Sequence, residues 1–196
     1  MGYSTDFFGH FDVTPTLNSA QVAYLKAFND TRRMGRDPIV AATLPDPLRE
    51  AVGLPIGPQG AYFVGGQGDF GQANDESVIN HNCEPEGQPG LWCQWTPSAD
   101  GARLEWDGGE KFYEYEQWLQ YIITHFLTPW GCTLSGCVEW AGEEEEDTGA
   151  LAVVDNTVCI YTDRLEYEAD TQKKTLKEHT DPISDAKSST YVPLKI

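Results

Sequence analysis

The period of the apolar positions changes several times along the chain, and each change predicts an element. Over residues 5–13, Thr5, Phe7, Gly9, Phe11 and Val13 fall on one face of an alternating pattern, although Phe8 sits on the other. That alternation predicts a strand, which Pro15 ends. In "LNSAQVAYLKAFND" the spacing becomes helical: Val22, Leu25 and Phe28 make a stripe. Asn18 stands as cap, with Gln21 three residues on as its capping-box partner. This helix should end near residues 31–35. "DPLREAV" predicts a short second helix, with Asp46 as cap and Pro47 at the first helical position.

Residues 53–90 break the rhythm, with nine Gly and four Pro and only short apolar pieces such as "AYFV". Connections in compact domains usually run about 4–6 residues. A segment this long is expected to be functional or mobile, and it is the candidate lid.

Regular patterning then returns. "LWCQWTP" and "ARLEW" predict the arms of a hairpin, with Asp100-Gly101 supplying the turn. Leu91, Cys93 and Trp95 share one face of the first arm, and Trp92 and Gln94 share the other. Three of the six tryptophans lie in this stretch, part core and part candidate pocket wall. "EKFYEYEQWLQYIITHFL" carries Tyr115, Leu119, Ile122 and Phe126 at helical spacing, widened by Trp118 and Ile123. Asp107 caps this helix or lies just before it, and Pro129 and Gly131 end it. "TLSGCVEW" alternates again, and "LAVVDNTVCIY" reads as two short strands about an Asp155-Asn156 turn.

The sum is an α+β fold: an antiparallel sheet with two main helices packed on it, plus a long Gly-rich loop. Residues 1–162 make one acidic domain. Residues 163–196 lose the apolar period and form a polar tail, whose "TYVPLKI" end is suited to dock on the body or on a partner. No apolar run is long enough to span a membrane, and the N-terminus lacks the basic and apolar regions of a secretory signal. Five cysteines without a CxxC point to free thiols in a reducing cytoplasm.

Charge changes the picture most. The chain carries a formal −18, and residues 1–162 hold 24 acids against 7 Lys/Arg, a net of −17. Such a field repels nucleic acid and draws a basic partner. "EEEED", Glu143, Glu144, Glu145, Glu146 and Asp147, is either a solvated hairpin tip or a contact for a basic surface.

Against that background, "TRRMGRD" holds Arg32, Arg33 and Arg36, which either clamp a phosphate or carboxylate or pair with nearby acids. "INHNCEPEG" offers Asn80, His81, Asn82, Cys83 and Glu84, without the spacing of a metal site. Glu105, Asp107 and Glu110 surround a Gly-Gly turn, as a carboxylate pair or as a cap with solvated neighbours. Gly66, Gly68 and Gly71 match G-x-G-x-x-G, but no helical stripe follows and Asp69 places a negative charge inside, so no cofactor is assigned.

The segments "QPGLWCQW" and "EWDGGEKFYEYEQWLQYIITHFL", with "GLPIGPQGAYFVGG" and "DTRRMGRD", resemble a family of small proteins of bacteria and their phages. The resemblance covers roughly residues 1–160 and implies no activity, cofactor or catalytic residue.

Two functions follow as expectations. The first is a non-enzymatic acidic module, phage-type, occupying a basic surface of a host nucleic-acid-handling protein. The second is a small enzyme or ligand-binding domain. Its pocket would lie between the Gly-rich loop, the arginine cluster and the tryptophan hairpin, with Arg32, Arg36, Asn80, His81, Asn82, Trp92, Gln94, Glu105 and Asp107 as ligand contacts.

Overall fold

The computed structural model describes residues 2–66, 72 and 74–162, and the backbone of 192–193. The first strand forms where the alternation predicts it. β1 (Thr5–Thr14) buries Thr5, Phe7, Phe11 and Val13. α1 (Ser19–Asp30) carries the predicted capping box: Asn18 Oδ1 accepts from the Ala20 and Gln21 amides, and Gln21 Oε1 accepts from the Asn18 amide. Its buried face is Tyr24, Leu25, Ala27, Phe28 and Asn29.

The next stretch is more ordered than its composition suggests. β2 (Gly35–Arg36), α2 (Pro38–Ala41) and α3 (Pro47–Ala51) follow in turn, and β2 pairs antiparallel with β3 (Val78–Asn80). Asp46 precedes α3 as expected but gives it no side-chain cap. Its Oδ2 accepts instead from Arg49 Nε at 2.9 Å and from the Val64 amide at 3.1 Å. Residues 54–64 are fastened from several sides. Arg49 Nη1 donates to Leu54 O, Arg33 Nη2 donates to Ala61 O and Phe63 O, and the Tyr24 hydroxyl donates to Tyr62 O. This part of the Gly-rich segment is therefore a built layer and not a lid. Gly68, Gly71 and Asp69 lie outside the described residues.

β4 (Trp95–Pro97) and β5 (Arg103–Trp106) form the hairpin, with Gly101 at φ 72 in its turn. α4 (Tyr115–Ile122) begins eight residues beyond Asp107, which does not cap it. Lys111 and Glu114 have φ of 60 and 53, incompatible with a continuous helix. Between them Phe112 turns inward, edge-on to Phe7 and Trp95 at 5.8 and 5.4 Å. Burying that ring favours an irregular lead-in over an earlier helix start. α4 widens into a π turn over Ile123–Leu127, where the Thr128 amide donates to Ile123 O.

β6 (Thr133–Gly142), β7 (Thr148–Val154) and β8 (Thr157–Thr162) complete an antiparallel meander, and β9 (Val192–Pro193) pairs with β8. The remainder of the polar tail lies outside the described residues. Asp155 and Asn156, at φ 48 and 66, make the left-handed two-residue turn of a tight hairpin.

The strand order is β4-β5-β1-β6-β7-β8-β9, all antiparallel, with α1 and α4 on one face. The fold is α+β, as expected. β1 and β6 approach closely where Gly9 has φ 110: a Cβ there would stand 2.8 Å from Cys137 O. The core under the helices is aromatic. Phe7 alone meets Trp95, Trp106, Phe112 and Tyr115 at centroid distances of 4.9–5.8 Å. Each such edge contact contributes about 0.5–1.5 kcal/mol beyond area burial. No helix among the described residues is long and apolar enough to cross a membrane. None of the five cysteines is joined in a disulfide.

Candidate functional site

The alternation entering β4 sorts the tryptophans. Cys93 and Trp95 are fully buried, whereas Leu91, Trp92 and Gln94 are half-buried. Trp92 and Gln94 instead line a pocket of about 550 Å³. Tyr113 and Trp118 supply its other aromatic walls, and Glu84 and Glu110 place two carboxyl-bearing side chains around it.

A hydrogen-bond chain holds the wall over residues 107–113. Asn29, buried on α1, donates through Nδ2 to Cys93 O at 3.0 Å and to Asp107 Oδ2 at 2.8 Å. Asp107 Oδ1 accepts from the Gly109 amide at 2.7 Å. Gln94 accepts from Trp106 Nε1 at 3.1 Å and donates to Glu110 O at 2.9 Å. Asp107 and Gln94 thus position the segment that carries Glu110 and Tyr113.

Arg32 lies over Trp92, its guanidinium 5.9 Å from the indole centroid. Arg32 Nε donates to His81 O at 3.0 Å and Nη2 to Asn82 Oδ1 at 3.3 Å, while Asn80 Oδ1 accepts from the Asn82 amide. Arg32, Asn80, His81, Asn82, Trp92 and Gln94 therefore fall in one neighbourhood, with Asp107 bracing it.

Two of the expected ligand contacts stand elsewhere. Arg36 is 1 % exposed, and its Nη1 donates to Asp75 Oδ2 and Ser77 Oγ at 2.7 Å each, with the guanidinium 4.6 Å from the Phe63 centroid. A guanidinium committed to a carboxylate inside the protein is an internal strut, not a ligand arm. Glu105 lies in β5 opposite Thr96 and does not line the pocket. At the acidic tip, Glu143 accepts from the Ser4 amide and Asp147 from the Tyr3 hydroxyl. That bond to Asp147 raises the Tyr3 hydroxyl above the usual tyrosine range. Glu144, Glu145 and Glu146 are exposed, and their side chains make no hydrogen bond or ion pair among the described residues.

Trp118 and Tyr113 carry no sequence signal as site residues, because Trp118 belongs to the helical core stripe and Tyr113 to what looks like the same helix. Trp118 is fully buried, yet its indole N–H has no acceptor. A second polar cluster also escaped the sequence reading. The Tyr62 hydroxyl lies 2.8 Å from His125 Nδ1 on the π turn, and burial lowers the His125 pKa. Beside it, Gln88 Nε2 donates to the Tyr121 hydroxyl, which burial pushes up to about 12. Among the described residues no group of three or more His, Cys, Asp or Glu is arranged to hold a metal ion.

Compared with protein-family models, curated proteins and solved structures, the chain finds no match.

Proposed function

We propose that this chain is a non-enzymatic acidic binding module of phage type, which occupies a basic surface of a host nucleic-acid-handling protein. One observation carries the reading. Of the seven basic residues in 1–162, Arg33, Arg36 and Arg49 are buried, leaving Lys26, Arg32, Arg103 and Lys111 toward solvent. Asp46 is the carboxylate among the buried polar residues described. Folding therefore makes the outward charge more one-sided than the composition. Such a surface steers a cationic partner into encounter and repels phosphates. The test is capture of bacterial proteins on the immobilised chain at low salt, followed by elution with salt and competition with duplex DNA. Basic nucleic-acid-binding proteins should be retained, released by salt and displaced by DNA. Binding of DNA to the chain itself, or capture of no basic protein, overturns the reading.

The pocket at the tryptophan hairpin favours a second reading, a ligand-binding domain. Concave sites with aromatic walls and a few converging polar groups are the usual form of small-molecule pockets. Binding of an uncharged ligand there, insensitive to salt, would support it over the first.

A further inference from the structure

Acidic and aromatic residues line the same pocket, and their chemistry is compatible with a single cationic occupant. Trp92 and Tyr113 offer aromatic walls, and Tyr113 is 53 % exposed. Aromatic faces attract cations through the ring quadrupole, and a planar guanidinium adds stacking to that attraction. Among the described residues the protein already uses this contact, with Arg32 over Trp92, Arg33 over Phe28 and Arg36 over Phe63. Glu84 and Glu110 also line the pocket, so two acidic residues border it. Lys111 also lines it, but its stem lies along Gly2: a Cβ built there would stand 2.6 Å from Lys111 Cε.

A second, independent observation comes from Trp118. A buried donor without an acceptor is costly, so native structures seldom leave one. The indole nitrogen points toward Gly90, another pocket wall, and lies 3.8 Å from where a Cβ on Gly90 would stand. The pocket thus combines carboxylates and aromatic faces for a cation with an unmatched N–H for an acceptor. A peptide segment bearing arginine provides both: guanidinium donors and a main-chain carbonyl.

We propose that this pocket receives an arginine side chain of the basic protein partner. The guanidinium lies between Trp92 and Tyr113 with Glu84 and Glu110 as counter-charges, and a carbonyl of the same segment meets the Trp118 indole N–H. This rests on the binding-module reading and names the anchor of that contact.

The experiment titrates the full chain, labelled with nitrogen-15, with N-acetyl hexa-arginine amide at low salt, following the six tryptophan indole cross-peaks. The cross-peaks of Trp92 and Trp118 should move, and those of Trp130 and Trp140 should not. Trp92→Ala should weaken binding about tenfold or more. The double variant Glu84→Gln/Glu110→Gln, which leaves the core untouched, should also weaken it and serves if Trp92→Ala does not fold. Hexa-lysine amide should bind more weakly than hexa-arginine at equal charge. Hexa-arginine binding unchanged in these variants, with shifts confined to residues 143–147, overturns the pocket proposal while leaving the acidic-module reading standing. No binding of hexa-arginine to the native chain overturns the pocket proposal, and the capture experiment then decides the broader reading separately.

Discussion

Asn29 is the residue whose replacement most directly couples the core to the pocket. Its amide nitrogen holds both Cys93 O and Asp107 Oδ2, at 3.0 and 2.8 Å. In Asn29→Ala the Cys93 carbonyl is left buried without that donor, a loss of about 1–3 kcal/mol. Asp107 is exposed and regains water, so the second bond contributes about 1 kcal/mol. Alanine's better helix propensity returns roughly 0.5 kcal/mol. The net expectation is a destabilisation of about 2–3 kcal/mol, or about 5–10 °C in Tm for a chain of this size. Urea unfolding and calorimetry measure it. Asn29→Asp is the sharper probe, because it keeps the shape and sets a carboxylate against the Cys93 carbonyl and the Asp107 carboxylate. It should be worse than alanine at pH 7 and recover as acid protonates the new carboxyl. Both variants should also loosen the 107–113 wall and weaken hexa-arginine binding. A loss below about 1 kcal/mol in Asn29→Ala, or an Asn29→Asp variant no worse than alanine, refutes the reasoning.

Asp46→Ala removes the carboxylate that holds Arg49 and the Val64 amide, and should cost about 3–5 kcal/mol in chemical denaturation; a loss under 1 kcal/mol would contradict a buried strut. Burial lowers the His125 pKa, so the native state binds fewer protons than the unfolded chain, whose histidines titrate near about 6.5. Stability should therefore fall as pH drops from above that value, and the slope should flatten in His125→Asn; a profile unchanged by that substitution would assign the pH dependence elsewhere. Cys83 is exposed, whereas Cys93 is fully buried with its thiol pushed up to about 12 by desolvation. Native alkylation followed by peptide mapping should label Cys83 first and Cys93 only on unfolding; early labelling of Cys93 would mean that the β4 layer opens readily.

Regular elements were legible because a period of two or 3.6 is a local property of the chain. β1, the 95–106 hairpin, the β6–β8 meander and the α1 capping box all stand where their patterns place them. Places where tertiary contacts overrule local pattern were not legible. Phe112 falls inside the segment whose pattern predicts the helix, but the rings of Phe7 and Trp95 draw it into an irregular turn and delay α4. Arg36 looks like a ligand arm until Asp75, thirty-nine residues away, is seen against it. The Gly-rich composition of 53–66 suggested freedom, while Arg33 and Asp46 anchor it from distant positions and Arg49 from close by. At the candidate site, Trp92 and Gln94 emerged from alternation alone. Trp118 did not, since only the three-dimensional count of donors and acceptors shows its N–H unmatched.

If the outward acidic charge is what this protein uses to bind, a polycation must bind it and a polyanion must not. The most direct test is isothermal titration of the full chain with protamine, an arginine-rich stand-in for a DNA-handling surface, at increasing potassium chloride, with a duplex DNA titration alongside. Binding should weaken about tenfold or more between low and moderate salt, and the duplex should give no heat. Protamine binding that is absent at low salt, or affinity for the duplex itself, would contradict it.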